Sequence, residues 1–173
     1  MLKDNVEWMK IDTLDMMNNF KILNVTFDSV DEYWNPVWGE ESEIRNNYNE
    51  MFVELQQIES ERKVNIRFRL FDDSLGFRYE FPLQEKLGSF IIIDEKTEFA
   101  MAGDHTAMWI PGDYDTQEYN YTTSKLSEIE QKSIEFKEEN VSMYRFSNWA
   151  VQTALMMKSQ NGLYINILSL IHI

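Results

Sequence analysis

A chain of 173 residues with 43% hydrophobic and 14% aromatic side chains can bury a core within one domain, which excludes a disordered or low-complexity chain. Its formal net charge of -14 excludes a nucleic-acid partner, since phosphate binding needs a basic face, and suits solubility, metal cations or neutral polyols. With no cysteine there is no disulfide framework, which fits a reducing compartment and equally a periplasmic one.

The chain opens Met1-Leu2-Lys3-Asp4-Asn5 with no apolar segment behind it, so no signal peptide is expected within it. No run of about 18 apolar residues follows, so no membrane span is expected. A first strand is predicted over residues 20–27. Trp34-Asn35-Pro36-Val37-Trp38-Gly39-Glu40 then forms a loop with paired indoles, a composition that serves either core packing or stacking on sugar faces. A second strand is predicted over 49–56.

In Val64-Asn65-Ile66-Arg67-Phe68-Arg69-Leu70 the apolar residues fall on one face and Asn65, Arg67 and Arg69 on the other, the pattern of a half-buried strand. Asp72-Asp73-Ser74-Leu75-Gly76 makes the turn, and Phe77-Arg78-Tyr79-Glu80-Phe81 alternates back. The pair reads as an antiparallel hairpin with Glu80 across from Arg67 or Arg69, its charges solvated or paired across the strands. Further strands are predicted over 89–93, 97–101, 151–158 and 163–167, with turns at Asp94-Glu95-Lys96 and Asn161-Gly162. Residues 127–138 have a weak helical stripe in Ile129, Ile134 and Phe136. Many short strands at regular spacing indicate an all-β antiparallel sandwich.

The segment Trp109-Ile110-Pro111-Gly112-Asp113-Tyr114-Asp115-Thr116-Gln117-Glu118-Tyr119 is the most informative in the chain. An apolar strand runs into a Pro-Gly turn, where proline fixes φ and glycine accepts positive φ, and then empties into acids, an amide and rings. Such a loop has the chemistry that sugars and hard cations need. Elsewhere the constellations of catalysis are missing. Two histidines, His105 and His172, come without a Gly-x-Ser-x-Gly elbow, and neither GxGxxG nor a Walker A loop occurs. His105, at a strand edge, reads as a structural residue. Scarce nitrogen and absent sulfur argue against zinc, while abundant oxygen donors leave calcium as the metal the chain would help to bind.

These residues resemble the N-terminal domain of glycoside hydrolase family 97. The resemblance is carried by the Trp34–Glu40 motif, Ile44-Arg45-Asn46-Asn47-Tyr48-Asn49-Glu50, Phe68-Arg69-Leu70-Phe71-Asp72-Asp73, Gly76-Phe77-Arg78-Tyr79-Glu80-Phe81-Pro82 and Gly103-Asp104-His105. Its most specific part is the Trp109–Tyr119 segment continued by Thr123-Ser124-Lys125-Leu126-Ser127-Glu128-Ile129. It implies an exported or periplasmic bacterial enzyme hydrolysing α-linked glucosides or galactosides. Such an enzyme has an N-terminal super-sandwich of galactose-mutarotase type, a catalytic (β/α)8 barrel and a small C-terminal β domain. The catalytic carboxylates would lie on the barrel of the same polypeptide, outside this chain, so the chain alone is expected to be inactive. The resemblance further implies that the N-terminal domain lends one glutamate, matched by Glu118, to a calcium site completed by barrel residues. Trp109, Asp115 and Gln117 are the accompanying candidates for substrate binding.

Ser74 departs mildly from the family pattern, standing where a glycine is usual, and Met108 stands where an aromatic residue is usual, a change expected to reshape one wall of the pocket. The family's signal peptide and first strands are expected before Met1, leaving the sandwich incomplete at both ends. Residues 1–167 are read as the partial domain and 168–173 as a non-matching tail, a truncation artefact in which His172 is not a ligand. A rival reading is a free-standing carbohydrate-binding module that stacks sugars on Trp34, Trp38 and Trp109.

Overall fold

The computed structural model describes residues 16, 18–93, 95–135 and 149–168. The chain divides into two compact units, Met1–Lys96 and Thr97–Ile173, each with its own four-stranded antiparallel sheet. The class is all-β, as the alternation of the sequence predicts.

The first unit holds β1 (Phe20–Trp34), β2 (Ile44–Gln57), β3 (Lys63–Leu70) and β4 (Leu75–Glu80) in the order β1-β2-β3-β4. Register assigns the faces. Arg67 lies opposite Phe52 and Arg78, and Arg69 opposite Glu50, whereas Phe68 lies opposite Met51 and Phe77. One face is therefore polar and the other apolar. On the polar face Arg67 donates to Glu80 at 2.7 Å and to Glu50, Arg69 donates to Glu50 at 2.9 Å, and Arg78 donates to Glu80 at 2.7 Å. Arg67 and Arg69 also cover the Phe52 and Tyr48 rings, each 4.4 Å from the centroid, a cation–π arrangement. Glu80 thus meets Arg67 diagonally, while Asn65 is its direct cross-strand neighbour.

Two strands are longer than their sequence pattern suggests. β1 continues to Trp34 and β2 begins at Ile44, an extension the pattern hides because, Val30 apart, Asp28 to Glu32 is polar on both faces. Arg45 to Asp31 at 2.7 Å and Asn46 to Glu32 at 3.0 Å pair across this stretch. β3 accompanies β2 only from Asn49 to Gln56, so the pairs from Val30↔Tyr48 to Trp34↔Ile44 form a two-stranded ribbon running past the sheet. A bulge at Leu23 shifts the register nearer the other end.

The predicted strands over 89–93 and 97–101 are not present. A β-branched run makes a strand only against a ladder partner, and neither segment pairs in a ladder with a strand among the described residues. Phe90 to Ile93 are instead exposed. Of the predicted turn at 94–96, Asp94 lies outside the described residues.

The second unit holds β5 (Thr106–Trp109), β6 (Thr122–Lys125), a 3-10 turn at Leu126–Glu128, α1 (Ile129–Glu135), β7 (Leu155–Lys158) and β8 (Tyr164–Ile167). Its strand order is β6-β5-β7-β8. Ala107, Trp109, Ile129 and Met157 form its buried core, flanked by Met101, Leu126, Val151, Leu155, Ile165 and Ile167. The predicted helix over 127–138 is shorter in its described part, and residues 136–138 lie outside it, as does His172. β6 has no signature in the sequence, since Thr-Thr-Ser-Lys carries no apolar alternation. The strand predicted over 151–158 starts only at Leu155, Val151 making an isolated bridge to Pro111. No helix among the described residues is long and apolar enough to cross a membrane.

Candidate functional site

The Trp109–Tyr119 segment leaves the end of β5 and is fastened to the chain that leads into β7. The Gln152 N–H donates to the Ile110 carbonyl at 3.1 Å and the Gly112 N–H to the Ala150 carbonyl at 2.8 Å. Gly112 serves here by close approach. A Cβ on it would stand 2.8 Å from the Ala150 Cβ and 3.2 Å from its carbonyl carbon. The glycines with positive φ among the described residues are Gly39 and Gly162, so the left-handed turn expected at Pro-Gly gives way to a steric requirement. Gly112, Asp113, Tyr114, Ala150, Val151 and Gln152 line an open depression of about 410 Å³.

Asp113 then organises the arc beyond it. One carboxylate oxygen accepts the Asp115 N–H at 2.8 Å and the Thr116 N–H at 3.2 Å. The other accepts the Tyr119 hydroxyl at 2.5 Å. The Thr116 carbonyl is held by the Gln152 side chain at 2.7 Å, and the Thr116 hydroxyl accepts the Glu118 N–H at 3.0 Å. Tyr119 is buried, so the arc is anchored at both ends.

The four candidate residues separate into two environments. Trp109 is fully buried, and its indole N–H donates to Ser124 Oγ at 3.0 Å. Such a ring has no free face for a sugar, which corrects its place among the binding candidates and leaves the rival module with Trp34 and Trp38. Trp38 is 89% exposed and Trp34 49%, at the turn between β1 and β2. Asp115, Gln117 and Glu118 are exposed on the arc. Among the described residues no cation pairs with the Glu118 carboxylate, which is free to act as a hard oxygen donor.

Calcium takes about six to eight oxygens, and no group of three or more acids or histidines gathers among the described residues. Glu118 thus fits such an ion in chemistry and would supply only part of its shell. His105 is 8% exposed; its carbonyl accepts the Leu126 N–H at 3.1 Å, while its buried Nδ1 has no hydrogen-bond partner among the described residues. Beside it Asp104 accepts the Ser127 N–H at 3.0 Å and hydroxyl at 2.8 Å, bonds that hold its carboxyl below the usual range.

Asp113, Tyr119 and Gln152 are the residues that sequence reasoning passes over. An aspartate just after Pro-Gly is a recognisable turn-former, its side chain able to bond the backbone two residues on, so Asp113 carries a signal. Gln152 carries none, because its partner lies 36 residues away.

Residues 3–168 match the family model described as Glycosyl-hydrolase 97 N-terminal. A retaining alpha-galactosidase of Bacteroides thetaiotaomicron is 27% identical over 130 residues, 68% of this chain and 18% of that protein. A glycoside hydrolase family 97 enzyme of Pseudoalteromonas sp. strain K8, solved with acarbose, is 31% identical with a TM-score of 0.69 over 86% of this chain and 20% of its own. Its E480Q form, solved with panose, has a TM-score of 0.68 with the same identity and coverage. The chain thus spans about a fifth of the length of these proteins.

Proposed function

The chain belongs to the glycosyl-hydrolase 97 N-terminal family, and from that premise we propose that it is part of a glycoside hydrolase acting on α-linked glucosides or galactosides. In that enzyme it braces the catalytic barrel of the same polypeptide and donates Glu118 to an active-site calcium ion. One observation carries the assignment of the site. Glu118 sits exposed and unpaired on an arc whose backbone is tied down by Asp113, Thr116 and Gln152. The named activity of the galactosidase relative and the acarbose and panose held by the Pseudoalteromonas enzyme support the substrate class.

When bound, calcium supplies polarisation of the glycosidic oxygen and neutralises charge that develops there. The part of this chain is limited. Glu118 contributes ligand oxygen and moves no proton, while the two carboxylates of glycoside hydrolysis belong to the barrel. A single carboxylate among about six to eight oxygens makes the isolated chain a weak calcium binder and an inactive one. In the full-length enzyme, Glu118→Gln is expected to weaken calcium binding in calorimetric titration and to lower kcat/KM in parallel. Calcium dependence equal to that of the parent would remove Glu118 from the site.

A further inference from the structure

The arc that presents Glu118 closes on one side chain. Asp113 accepts two backbone N–H groups on one oxygen and the Tyr119 hydroxyl on the other, so it bridges the start of the arc to the residue just after Glu118. Both oxygens are needed as acceptors, which a carboxylate provides and an amide does not. The Tyr119 bond is charge-assisted, the stronger kind of hydrogen bond, and Tyr119 itself is buried. The backbone that carries the exposed Glu118 carboxylate is therefore anchored before it at Thr116 and after it at Tyr119.

We propose that Asp113, acting with the Tyr119 hydroxyl, is a positioning residue that orders the Asp115-Thr116-Gln117-Glu118 arc before the cation arrives. The inference rests on the reading of Glu118 as a calcium ligand. Its physical content is preorganisation of the backbone that carries Glu118: with that backbone already ordered, less conformational freedom is lost when the carboxylate takes up an ion, so affinity rises without any new contact to the ion. Asp113 touches neither ion nor substrate in this role. It acts through Glu118.

The test compares Glu118→Gln, Asp113→Asn and Tyr119→Phe in the full-length enzyme. Calcium affinity is measured by isothermal titration calorimetry, and thermal melting without calcium is recorded alongside. Tyr119→Phe keeps the buried ring, which guards against a variant that fails to fold. Asp113→Asn and Tyr119→Phe are each expected to weaken calcium binding by about three- to thirtyfold. The double variant should fall short of the product of the two effects, because both break the same bond. Raised calcium should restore turnover in these variants.

If Glu118→Gln weakens calcium binding while the other two bind it as the parent does, the positioning role is overturned and the ligand role stands. A lowered melting temperature with unchanged calcium affinity overturns it likewise, since Asp113 would then be structural only. Should Glu118→Gln itself leave calcium affinity untouched, the ligand reading fails, and this inference fails with it.

Discussion

Gly112 shows how much one absent side chain settles. The Pro-Gly pair is legible as a rigid turn, but the reason is not, since close approach depends on Ala150, distant in sequence and next to it in space. Replacing Gly112 with Ala forces that Cβ against Ala150 backbone atoms at 3.2 and 3.3 Å, which neither partner relieves by a rotamer change. The variant is expected to lose about 1–3 kcal/mol of stability, in the range of overpacking substitutions. Urea unfolding of the parent and variant chains checks it, and equal midpoints would show that the two segments separate freely. Glu118 lies at the opposite extreme of legibility. As a bare exposed acid it carries no local signal, and only the resemblance around it suggests a role. Trp109 misleads in the other direction, because an aromatic residue beside a polar loop reads as a sugar platform until its burial is seen.

At the scale of elements, β3 and β4 are the most readable because their alternation is strict and their faces differ. The Arg67–Glu80 bond is expected in kind from the pattern, and register turns it into a diagonal pair. The Arg67 hydrogen bond, aided by Arg78, lowers the Glu80 pKa below the ordinary glutamate value of 4.5 although partial burial opposes it. A carboxylate depressed in the folded state stabilises fully above its unfolded pKa and loses that contribution as pH falls through the folded value. Glu80→Gln is therefore expected to be less stable than the parent near neutrality, with the gap closing below about pH 4.5. Urea titrations at a series of pH values measure this, and a gap that stays constant into acid would contradict it. The segments 89–93 and 97–101 show the limit of the same method. Composition announces a strand, yet a ladder needs a neighbour, and sequence pattern does not report whether one is present.

On the scale of the whole molecule, the all-β class is legible throughout, since period-two patterning repeats from 64 to 81 and again near the end. What the pattern does not convey is how much apolar surface stays open. Phe27 is 75% exposed, Ile22 65%, and Ile91 to Ile93 between 64% and 77%, with β1 forming the edge of its sheet. A long edge strand and an uncharged β-branched run are both templates for pairing between chains. The 173-residue chain on its own is expected to self-associate, with sedimentation velocity showing species larger than a monomer; a sharp monomer peak at micromolar concentration would refute this. The ribbon of β1 and β2 beyond β3 has a different bearing, on how such a domain can change over evolutionary time. Because no third strand among the described residues pairs with the stretch from Val30↔Tyr48 outward, two residues added to or lost from each side keep every side chain on its face. Each such step moves the Trp34–Trp38 turn by about 7 Å, so the ribbon is an arm whose length can be reset in whole steps while the sheet that carries it stays as it is.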